Sequence, residues 1–398
     1  MPVVTITSAC NLDCPICYVH NKNDDAFHMR VEDFEIAAVI VEEMLQDALY
    51  ILNLAGGEPT VHPHFLEFIA LARDAGVHRV TLCSNGIRLA KDESLVRELA
   101  RLGARVALSF DTFDPHVDYL MQGAHLLELK LRCLELLEKH NVDTTLIPVM
   151  TSGVNVHEIG KIIDLVLNKP NIRHLEIHTM TFTGQSGTTF PRSGRTSLYE
   201  VLEEIETTTG GLLKIDDFVS SPCAHPLCYQ IAYLLLDPDG GPPVPFSRFM
   251  PREAIYDALS EHLYMEPTPK LERAMLEAIE RLWTEDGDER TLRLLKNLLA
   301  QLFPKGKHLS RDQAMRKGER GIKAIYLHSH MDEETFDVDR AVQCCDSNCY
   351  PDGTTVPVCN YNVLYREKEA AFNRDAASWN ERSGGMKSAR LSLPQVRA

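Results

Sequence analysis

The sequence predicts an α/β protein whose first 210 residues form a partial (β/α)6 barrel. Up to about residue 210, short β-branched segments alternate six times with segments whose apolar residues recur at helical spacing. Alternation of this kind implies parallel strands joined by right-handed crossover helices. The predicted strands are VVTIT, YILNLAG, RVTLCS, RVALSF, TTLIPVM and RHLEIHTM. The helices that follow them are VEDFEIAAVIVEEML, HFLEFIALARDAG, ESLVRELARLG, LLELKLRCLELLEKH, NVHEIGKIIDLVLN and SLYEVLEEIETTTGG.

From about residue 211 the regular alternation stops, which predicts a second domain. A Pro- and Gly-rich stretch leads into a charged helical region at about 252–303, and KAIYLHSHM has the pattern of a strand. We expect a C-terminal domain over residues 211–370 that contains this helical insertion, and a tail over residues 371–398. The helical insertion is a candidate lid over the barrel mouth.

Composition argues against two classes of partner. The formal net charge of -16 argues against nucleic acid, since phosphate binding needs clustered Lys and Arg side chains. No apolar run reaches the roughly 18 residues that a membrane span needs. The segment before Cys10 is too short and uncharged for a signal peptide, so we expect a cytoplasmic protein.

Polar and glycine residues follow the predicted strands at equivalent points. Ligands of parallel sheets and barrels collect at the carboxyl ends of strands, so these positions are candidate binding sites. A cysteine-rich loop follows the first strand, and His178, Thr183 and Gln185 follow the sixth. The second, third and fourth strands are followed by Gly56, Gly57 and Glu58, by Ser84 and Asn85, and by Ser109 and Asp111.

Three cysteines in the first of these loops predict a metal centre. The segment TSACNLDCPICYVH places Cys10, Cys14 and Cys17 in a C-x3-C-x2-C pattern. One interpretation is a closed zinc site in which His20 is the fourth ligand. The other is a [4Fe-4S] cluster, in which three thiolates leave one iron without a protein ligand. Only the second interpretation makes use of the polar residues at the other strand ends.

These motifs resemble those of the radical SAM superfamily over most of the first 210 residues. The resemblance is carried by the cysteine triad, by Tyr18 next to Cys17, and by GGEP after the second strand. It implies a partial TIM-like barrel and a [4Fe-4S] cluster whose open iron binds S-adenosylmethionine. One electron would then break a carbon–sulfur bond of the cofactor and produce a 5′-deoxyadenosyl radical.

The same resemblance implies contacts to S-adenosylmethionine. Gly56, Gly57 and Glu58 form the motif at the methionine portion, where Glu58 and the Gly57 backbone would contact the amino group. Ser84 and Asn85 match positions that hold the ribose and carboxylate. Ser109 and Asp111 match positions that bind the ribose hydroxyls, and a strand-end cap is the alternative for Asp111.

Six further cysteines after residue 210 predict at least one auxiliary [4Fe-4S] cluster. A structural zinc site made of four of them is the alternative. The adjacent pair Cys344 and Cys345 suits a cluster edge better than a tetrahedral zinc site. The favoured ligands are Cys223, Cys228, Cys345 and Cys359, while Cys344 and Cys349 could replace one of these or help to hold a second cluster.

Several charged residues lie close to these cysteines in sequence. For His225, His328 and His330, simple packing is favoured over a contact to metal or substrate. Asp332 and Arg340 are expected to form an ion pair that holds the fold.

A narrower resemblance covers the C-terminal region. The segments SPCAHPLCY, HSHMDEETFDVDRAVQCC and PDGTTVPVCNYNVLYR resemble tetraether synthase and related archaeal radical SAM proteins, a group that includes proteins once described as pterin-modifying radical SAM methylases. Two departures are expected to affect the electron route and the substrate. The chain begins at the first barrel strand, without the cysteine-rich N-terminal module of that group, and it has an additional cysteine at Cys349.

The predicted function is therefore that of a radical SAM enzyme. It would abstract hydrogen from an unactivated carbon, with carbon–carbon bond formation or alkylation of a lipid or small-molecule substrate to follow. The expected electron donor is a protein such as flavodoxin or ferredoxin. Two alternatives remain: a radical SAM maturase of a ribosomal peptide, and a zinc-stabilised protein without catalytic activity.

Overall fold

The computed structural model describes residues 1–19, 26–34, 51–259, 265–284, 287–306, 309–350 and 354–365. Of the first predicted helix, VEDFEIAAVIVEEML, only residues 31–34 fall in these ranges, and they are helical. His20 also lies outside the described residues, so its predicted part in a closed zinc site has no structural counterpart here.

The strands fall where the alternating sequence pattern predicts them, and further strands follow residue 210. Their bounds are β1 Pro2–Thr7, β2 Ile51–Gly56, β3 Arg79–Ser84, β4 Arg105–Ser109, β5 Thr144–Ile147, β6 Val149–Met150, β7 Ile172–Thr179, β8 Val219–Ser220, β9 Tyr229–Leu235, β10 Val244–Pro245, β11 Ile322–His328, β12 Ser347–Cys349 and β13 Thr355–Pro357.

The helices occupy the crossovers and the later helical region. Their bounds are α1 Phe65–Asp74, α2 Ile87–Lys91, α3 Glu93–Leu102, α4 Pro115–Gln122, α5 Leu127–Lys139, α6 Ile159–Asn168, α7 Gly184–Thr189, α8 Leu198–Thr208, α9 Arg252–Ala258, α10 Pro269–Thr284, α11 Glu289–Leu302, α12 Arg311–Gly321, α13 Val338–Val342 and α14 Val358–Asn360. None of the helices in the described ranges is long and apolar enough to cross a membrane.

All of these strands belong to one 13-stranded sheet. Its centre is a parallel run in the order β1-β2-β3-β4-β5-β7, which contains the six strands that the sequence predicts. The fifth predicted strand, TTLIPVM, is interrupted at Pro148 and continues as β6, which pairs with β7. The predicted α/β fold with a parallel, barrel-like sheet is confirmed.

Strands from the C-terminal part of the chain extend both edges of this parallel run. β11 pairs in parallel with β7, and β12 pairs in parallel with β1 at the opposite edge. Tyr229 at the start of β9 donates a hydrogen bond of 2.5 Å to the Asp346 carboxylate, which immediately precedes β12. Because β9 pairs with β11, this bond connects the two edges. Strands from before and after residue 210 therefore share a single sheet.

The two faces of the parallel strands differ in polarity, as β7 illustrates. Leu175 and Ile177 are fully buried in the apolar cluster that packs beneath the crossover helices. Successive side chains of a strand point to opposite faces, so His174, Glu176 and His178 point into the barrel. The barrel interior is thus polar on this side.

The helical region after residue 251 packs against the sheet near the amino-terminal end of β11, away from the barrel mouth. Side chains of α9, α10 and α11 share an apolar cluster with Ile322, Ala324 and Tyr326 of β11. Arg290 at the start of α11 contacts Asp237 at 2.8 Å, beyond the end of β9 that pairs with Ile322. These helices lie beside the amino-terminal half of β11, so the expectation that they cover the mouth as a lid is wrong for their described residues.

Candidate active site

The loop that carries Cys10, Cys14 and Cys17 follows β1 and is held from two sides. The backbone N–H of Ile16 donates to the carbonyl of Met121 at the end of α4, at 3.2 Å. The N–H of Ser186 in α7 donates to the carbonyl of Cys17 at 2.9 Å. The Cys14 thiol donates to the side-chain oxygen of Gln122 at 3.3 Å. The cysteine loop is therefore fixed at the carboxyl end of the barrel.

Two consecutive glycines allow the end of β2 to approach this loop closely. Gly57 N–H donates to the Thr7 carbonyl at 2.9 Å, and Glu58 N–H donates to the Ala9 carbonyl at 2.8 Å. A Cβ atom at Gly56 would lie 2.0 Å from the Thr7 carbonyl oxygen, and one at Gly57 would lie 2.3 Å from that of Ala9. Any side chain at these positions would push the two segments apart.

Glu58 joins the ends of β2 and β3 through its carboxylate. Oε1 accepts hydrogen bonds from the Thr60 N–H at 3.1 Å, the Thr60 hydroxyl at 2.5 Å and the Ser84 hydroxyl at 2.9 Å. Oε2 accepts one bond, from the Asn85 N–H at 2.7 Å. Burial raises the pKa of Glu58, and these hydrogen bonds oppose that rise. Groups of the protein itself therefore satisfy most of the hydrogen-bonding capacity of the Glu58 carboxylate.

Asn85 connects β3 to the cysteine loop. Its side-chain amide donates to the Asn11 side-chain oxygen at 2.7 Å, and its own oxygen accepts the Ile87 N–H at 3.1 Å. Ser84, whose hydroxyl donates to Glu58, also accepts the Gly86 N–H at 3.0 Å. The structure therefore brings the residues after β1, β2 and β3 into one hydrogen-bonded group.

Asp111 is buried after β4 and does not point into open space. Its carboxylate accepts hydrogen bonds from Gln122 at 2.6 Å and from the Val149 N–H at 2.9 Å, and lies 3.4 Å from the Lys130 ammonium. This engagement favours the alternative role of a strand-end cap over the contact to a ribose. Ser109, the last residue of β4, is partly exposed.

Five of the C-terminal cysteines influence one another's pKa values in two groups. In the first group, burial raises the pKa of Cys359 to about 12, and the charges of Cys344 and Cys228 add to this rise. In the second, Cys223 and Cys345 share a hydrogen bond that lowers the pKa of Cys223. Cys344 thus joins Cys228 and Cys359, whereas Cys345 joins Cys223.

Cys349 stands apart from both groups in the described structure. Its thiol donates to the Ser347 carbonyl at 3.7 Å on the same strand, β12, and packs in the main apolar cluster. Cys133 is likewise buried in that cluster, which is common for a free cysteine.

Arg340 and Asp332 do not pair with each other, so that part of the prediction is wrong. Arg340 donates to the Cys228 thiol at 3.3 Å and to the Ser329 carbonyl at 2.7 Å. Asp332 pairs instead with Arg195 at 2.6 Å, and it also accepts a hydrogen bond from the Phe182 N–H. Arg340 therefore places a positive charge beside the first group of C-terminal thiols.

Three histidines meet on the barrel interior next to that group. His178 at the end of β7 and His328 at the end of β11 are register partners, and His330 follows directly after β11. Burial lowers the pKa of His328 and of His330, so both imidazoles are neutral near pH 7. Glu176 lies beneath them: burial alone would raise its pKa, but its hydrogen bond with His178 and the nearby ring of His328 hold it well below its usual range.

His225 is separate from these three histidines. Its ring accepts the Leu227 N–H at 3.2 Å in the turn between Cys223 and Cys228, and it is partly exposed.

Comparison with known proteins gives the family of the barrel. Residues 4–166 match the radical SAM superfamily. These residues form a radical SAM domain. The match begins in β1 and ends in α6, and it includes the cysteine loop, the GGEP segment and the ends of β3 and β4.

One relative extends the similarity beyond the radical SAM domain. The chain is 26% identical to 7,8-dihydro-6-hydroxymethylpterin dimethyltransferase of Methanocaldococcus jannaschii, an alignment that covers 94% of this chain and 79% of that protein. It is 29% identical to a probable GTP 3′,8-cyclase of Pyrococcus abyssi over 40% of this chain, and it spans only 50% of that relative.

Two solved structures are similar to about half of this chain. Streptococcus suis SuiB bound to S-adenosylmethionine has a TM-score of 0.42 and 16% identity, with 52% of this chain and 46% of SuiB covered. The FeFe-hydrogenase maturase HydG of Carboxydothermus hydrogenoformans has a TM-score of 0.43 and 12% identity, with 53% and 51% covered.

The residues of the radical SAM domain fit a [4Fe-4S] cluster with one exchangeable iron. Burial raises the pKa of Cys10 to about 11 and that of Cys14 further, and the charges of neighbouring thiols add to both shifts. Three neighbouring thiolates on partly buried side chains need positive charge to stabilise them, and iron would supply it. Cys10, Cys14 and Cys17 would hold the cluster, and the Gly57 backbone and Asn85 would border S-adenosylmethionine.

Glu58→Gln tests the connection between the strand ends of the radical SAM domain. The new amide nitrogen is a donor, and it would face N–H or O–H groups that now donate hydrogen bonds to the carboxylate. At least one buried donor would then lack an acceptor, at a cost of about 1–3 kcal/mol. We expect a lower free energy of unfolding in urea and weaker binding of S-adenosylmethionine by calorimetry. Glu67→Gln is the matched control, since Glu67 is half-exposed and its ion pair among the described residues is with His64 on the surface. Equal behaviour of the two variants would contradict the assigned role.

Glu176 was not among the site residues predicted from the sequence, and for His328 and His330 simple packing was favoured over a contact to metal or substrate. A detectable pattern was present, because HLEIH places His174, Glu176 and His178 on the same face of one strand. HSH then provides His328 and His330 at the end of the neighbouring strand. Two such patterns on adjacent strands indicate a shared polar site, which a single histidine does not.

Proposed function

We propose that this chain is a radical SAM enzyme that abstracts hydrogen from an unactivated carbon of a polar small molecule, followed by alkylation or carbon–carbon bond formation. When the cluster and S-adenosylmethionine are bound, one electron from a donor such as flavodoxin or ferredoxin yields methionine and a 5′-deoxyadenosyl radical, which takes the hydrogen atom. The radical SAM match around the cysteine loop carries the proposal of this chemistry.

The barrel interior supports a polar substrate over a lipid chain. Glu176, His178 and His328 lie at the carboxyl ends of β7 and β11, on the interior face. A hydrocarbon chain in contact with these groups would leave their hydrogen-bonding capacity unmet, whereas a heterocycle with ring nitrogens and oxygens would satisfy it.

A pterin is the first substrate to test. The relative that aligns with 94% of this chain is named for dimethyl transfer to a dihydropterin. Methyl transfer to a carbon is an alkylation and falls within the proposed reaction class. A second S-adenosylmethionine would donate the methyl group by cleavage of its sulfur–methyl bond and leave as S-adenosylhomocysteine, and the reductant would supply the two electrons that the two cofactor molecules consume. The lipid substrate that the C-terminal sequence motifs suggested becomes the competing case.

An auxiliary cluster is part of the proposal. Cys228, Cys344 and Cys359 would hold it, and the positive charge of Arg340 would stabilise the Cys228 thiolate. Cys223 and Cys345 form the neighbouring pair from which a fourth ligand or a second centre would come.

The test begins with anaerobic reconstitution of the full chain with iron and sulfide. Incubation with dithionite and S-adenosylmethionine should release 5′-deoxyadenosine, measured by chromatography and mass spectrometry. Adding 7,8-dihydro-6-hydroxymethylpterin should increase its yield and produce a pterin of higher mass. Stimulation by an ether lipid instead would transfer the proposal to the lipid class. A chain that binds only zinc and releases no 5′-deoxyadenosine would support the non-catalytic alternative.

A further inference from the structure

We propose that His178, His328 and His330 form a mononuclear site for a divalent transition metal that shares no ligand with the cysteine centres. One ring nitrogen from each of the three histidines lies within 4.8 Å of one from each of the others. Imidazole is a ligand for zinc, iron, copper and nickel. The inference does not depend on the proposed function, because it concerns binding of the metal and no step of the radical reaction.

The backbone brings the three side chains together from two adjacent strands. His178 and His328 occupy paired positions of the parallel strands β7 and β11, so their rings project from the same face. His330 lies two residues further along, and its ring centroid is 3.9 Å from that of His328 and 4.9 Å from that of His178. Ligands carried on strands that are fixed in register are held more precisely than ligands on loops.

The groups around the imidazoles can orient them for a metal. Glu176 Oε1 lies 3.2 Å from His178 Nε2 and 3.6 Å from His328 Nδ1. Metal-binding histidines commonly direct their second ring nitrogen to a carboxylate, which fixes the orientation of the ring and makes the ligand more basic. The Tyr229 ring stacks on His328 at 3.8 Å and restricts its rotation further.

Ordinary packing accounts poorly for this cluster. His328 is 95% buried and its Nδ1 atom has no hydrogen-bond partner among the described residues, because 3.6 Å from Glu176 is beyond hydrogen-bonding range. A buried polar atom without a partner is costly, and native structures contain few of them. Metal binding by the other nitrogen would draw the His328 ring into a defined position and strengthen its contact with Glu176.

Three imidazoles would leave one position of a tetrahedral metal for another ligand. Water or an oxygen or nitrogen donor of a small molecule takes that position in three-ligand sites. A zinc–nitrogen bond of about 2.0–2.1 Å places ligand nitrogens about 3.3 Å apart, so a small inward rotation of the rings would complete the site. The nearest thiol is that of Cys359, at 3.6 Å from His330 Nδ1.

The proximity of Cys359 decides the experiment, because zinc could go to thiolates instead. The full chain is first reconstituted anaerobically with iron and sulfide, then given one equivalent of Zn²⁺ and desalted. Metal analysis should show about one zinc per chain, and zinc K-edge X-ray absorption should show nitrogen or oxygen at about 2.0–2.1 Å and no sulfur at about 2.3 Å. A sulfur shell, or no retained zinc, overturns the proposal without reference to any variant.

Variants then assign the ligands. His178→Ala and His328→Ala should each lose the retained zinc, and Glu176→Gln should weaken zinc affinity by roughly 10–100-fold because it acts through two of the rings. His225→Ala is the matched control and should keep the zinc. Circular dichroism checks that each variant is folded. Retention of zinc with an unchanged absorption spectrum in folded His178→Ala and His328→Ala would overturn the assignment.

Discussion

Replacing Cys14 with alanine should abolish the release of 5′-deoxyadenosine from S-adenosylmethionine. Cys14 is the central member of the cysteine triad, and its thiol lies against Gln122 in the wall of the barrel. The substitution removes one of the three thiolate ligands, and the described part of the loop contains no further cysteine that could take its place. The product, assayed with dithionite by mass spectrometry, should fall to the level of a reaction without enzyme.

Iron analysis and a matched cysteine variant make this result specific. The Cys14→Ala protein should lose the iron of one cluster and keep the iron held by the C-terminal thiols. Cys133→Ala changes a buried cysteine of α5 that belongs to neither C-terminal group, and it should retain full iron content and activity. If Cys14→Ala kept its 5′-deoxyadenosine release, the assignment of the triad as cluster ligands would fail.

Lys130→Met should reduce the free energy of unfolding by about 3–5 kcal/mol, because it leaves the buried Asp111 carboxylate without its counter-charge. Both side chains are only 3% exposed, and their charged atoms lie 3.4 Å apart. The remaining hydrogen bonds from Gln122 and the Val149 N–H cannot neutralise the charge. Urea denaturation followed by circular dichroism measures the loss.

The same substitution elsewhere on α5 provides the control. Lys139 pairs with Glu93 at 2.8 Å but is 62% exposed, so Lys139→Met should cost less than about 1 kcal/mol. Adding Asp111→Asn to Lys130→Met should restore part of the stability, because the uncompensated charge is then gone. Similar losses for Lys130→Met and Lys139→Met would show that the buried pair contributes nothing beyond a surface pair.

The barrel and the position of the cysteine triad at its carboxyl end were predictable because their determinants are local. Strand–helix alternation depends on residues a few positions apart, and Cys10, Cys14 and Cys17 lie within one loop. The glycines of GGEP were predictable for the same reason, since the close backbone approach at Gly56 and Gly57 excludes any side chain. Such features need no knowledge of which strands become neighbours.

The role of Asp111 and the grouping of the C-terminal thiols were not predictable, because both depend on distant partners. Nothing near Asp111 in sequence shows that Lys130 and Gln122 will surround it. Cys344 and Cys345 are adjacent, yet their side chains diverge to different groups as the chain enters β12. The pairing of β12 with β1 fixes that divergence, and it joins residues almost a full chain length apart.

That pairing has a consequence for how the protein acquires its fold. Val3 lies opposite Asn348, so one edge of the parallel run stays uncovered until residue 348 has emerged from the ribosome. Contacts of such long sequence separation are slow to form, and uncovered strands can pair with other chains in the meantime. A fragment ending near residue 210 would retain both bare edges, so we expect it to aggregate, and co-expression of the remaining segment should restore its solubility.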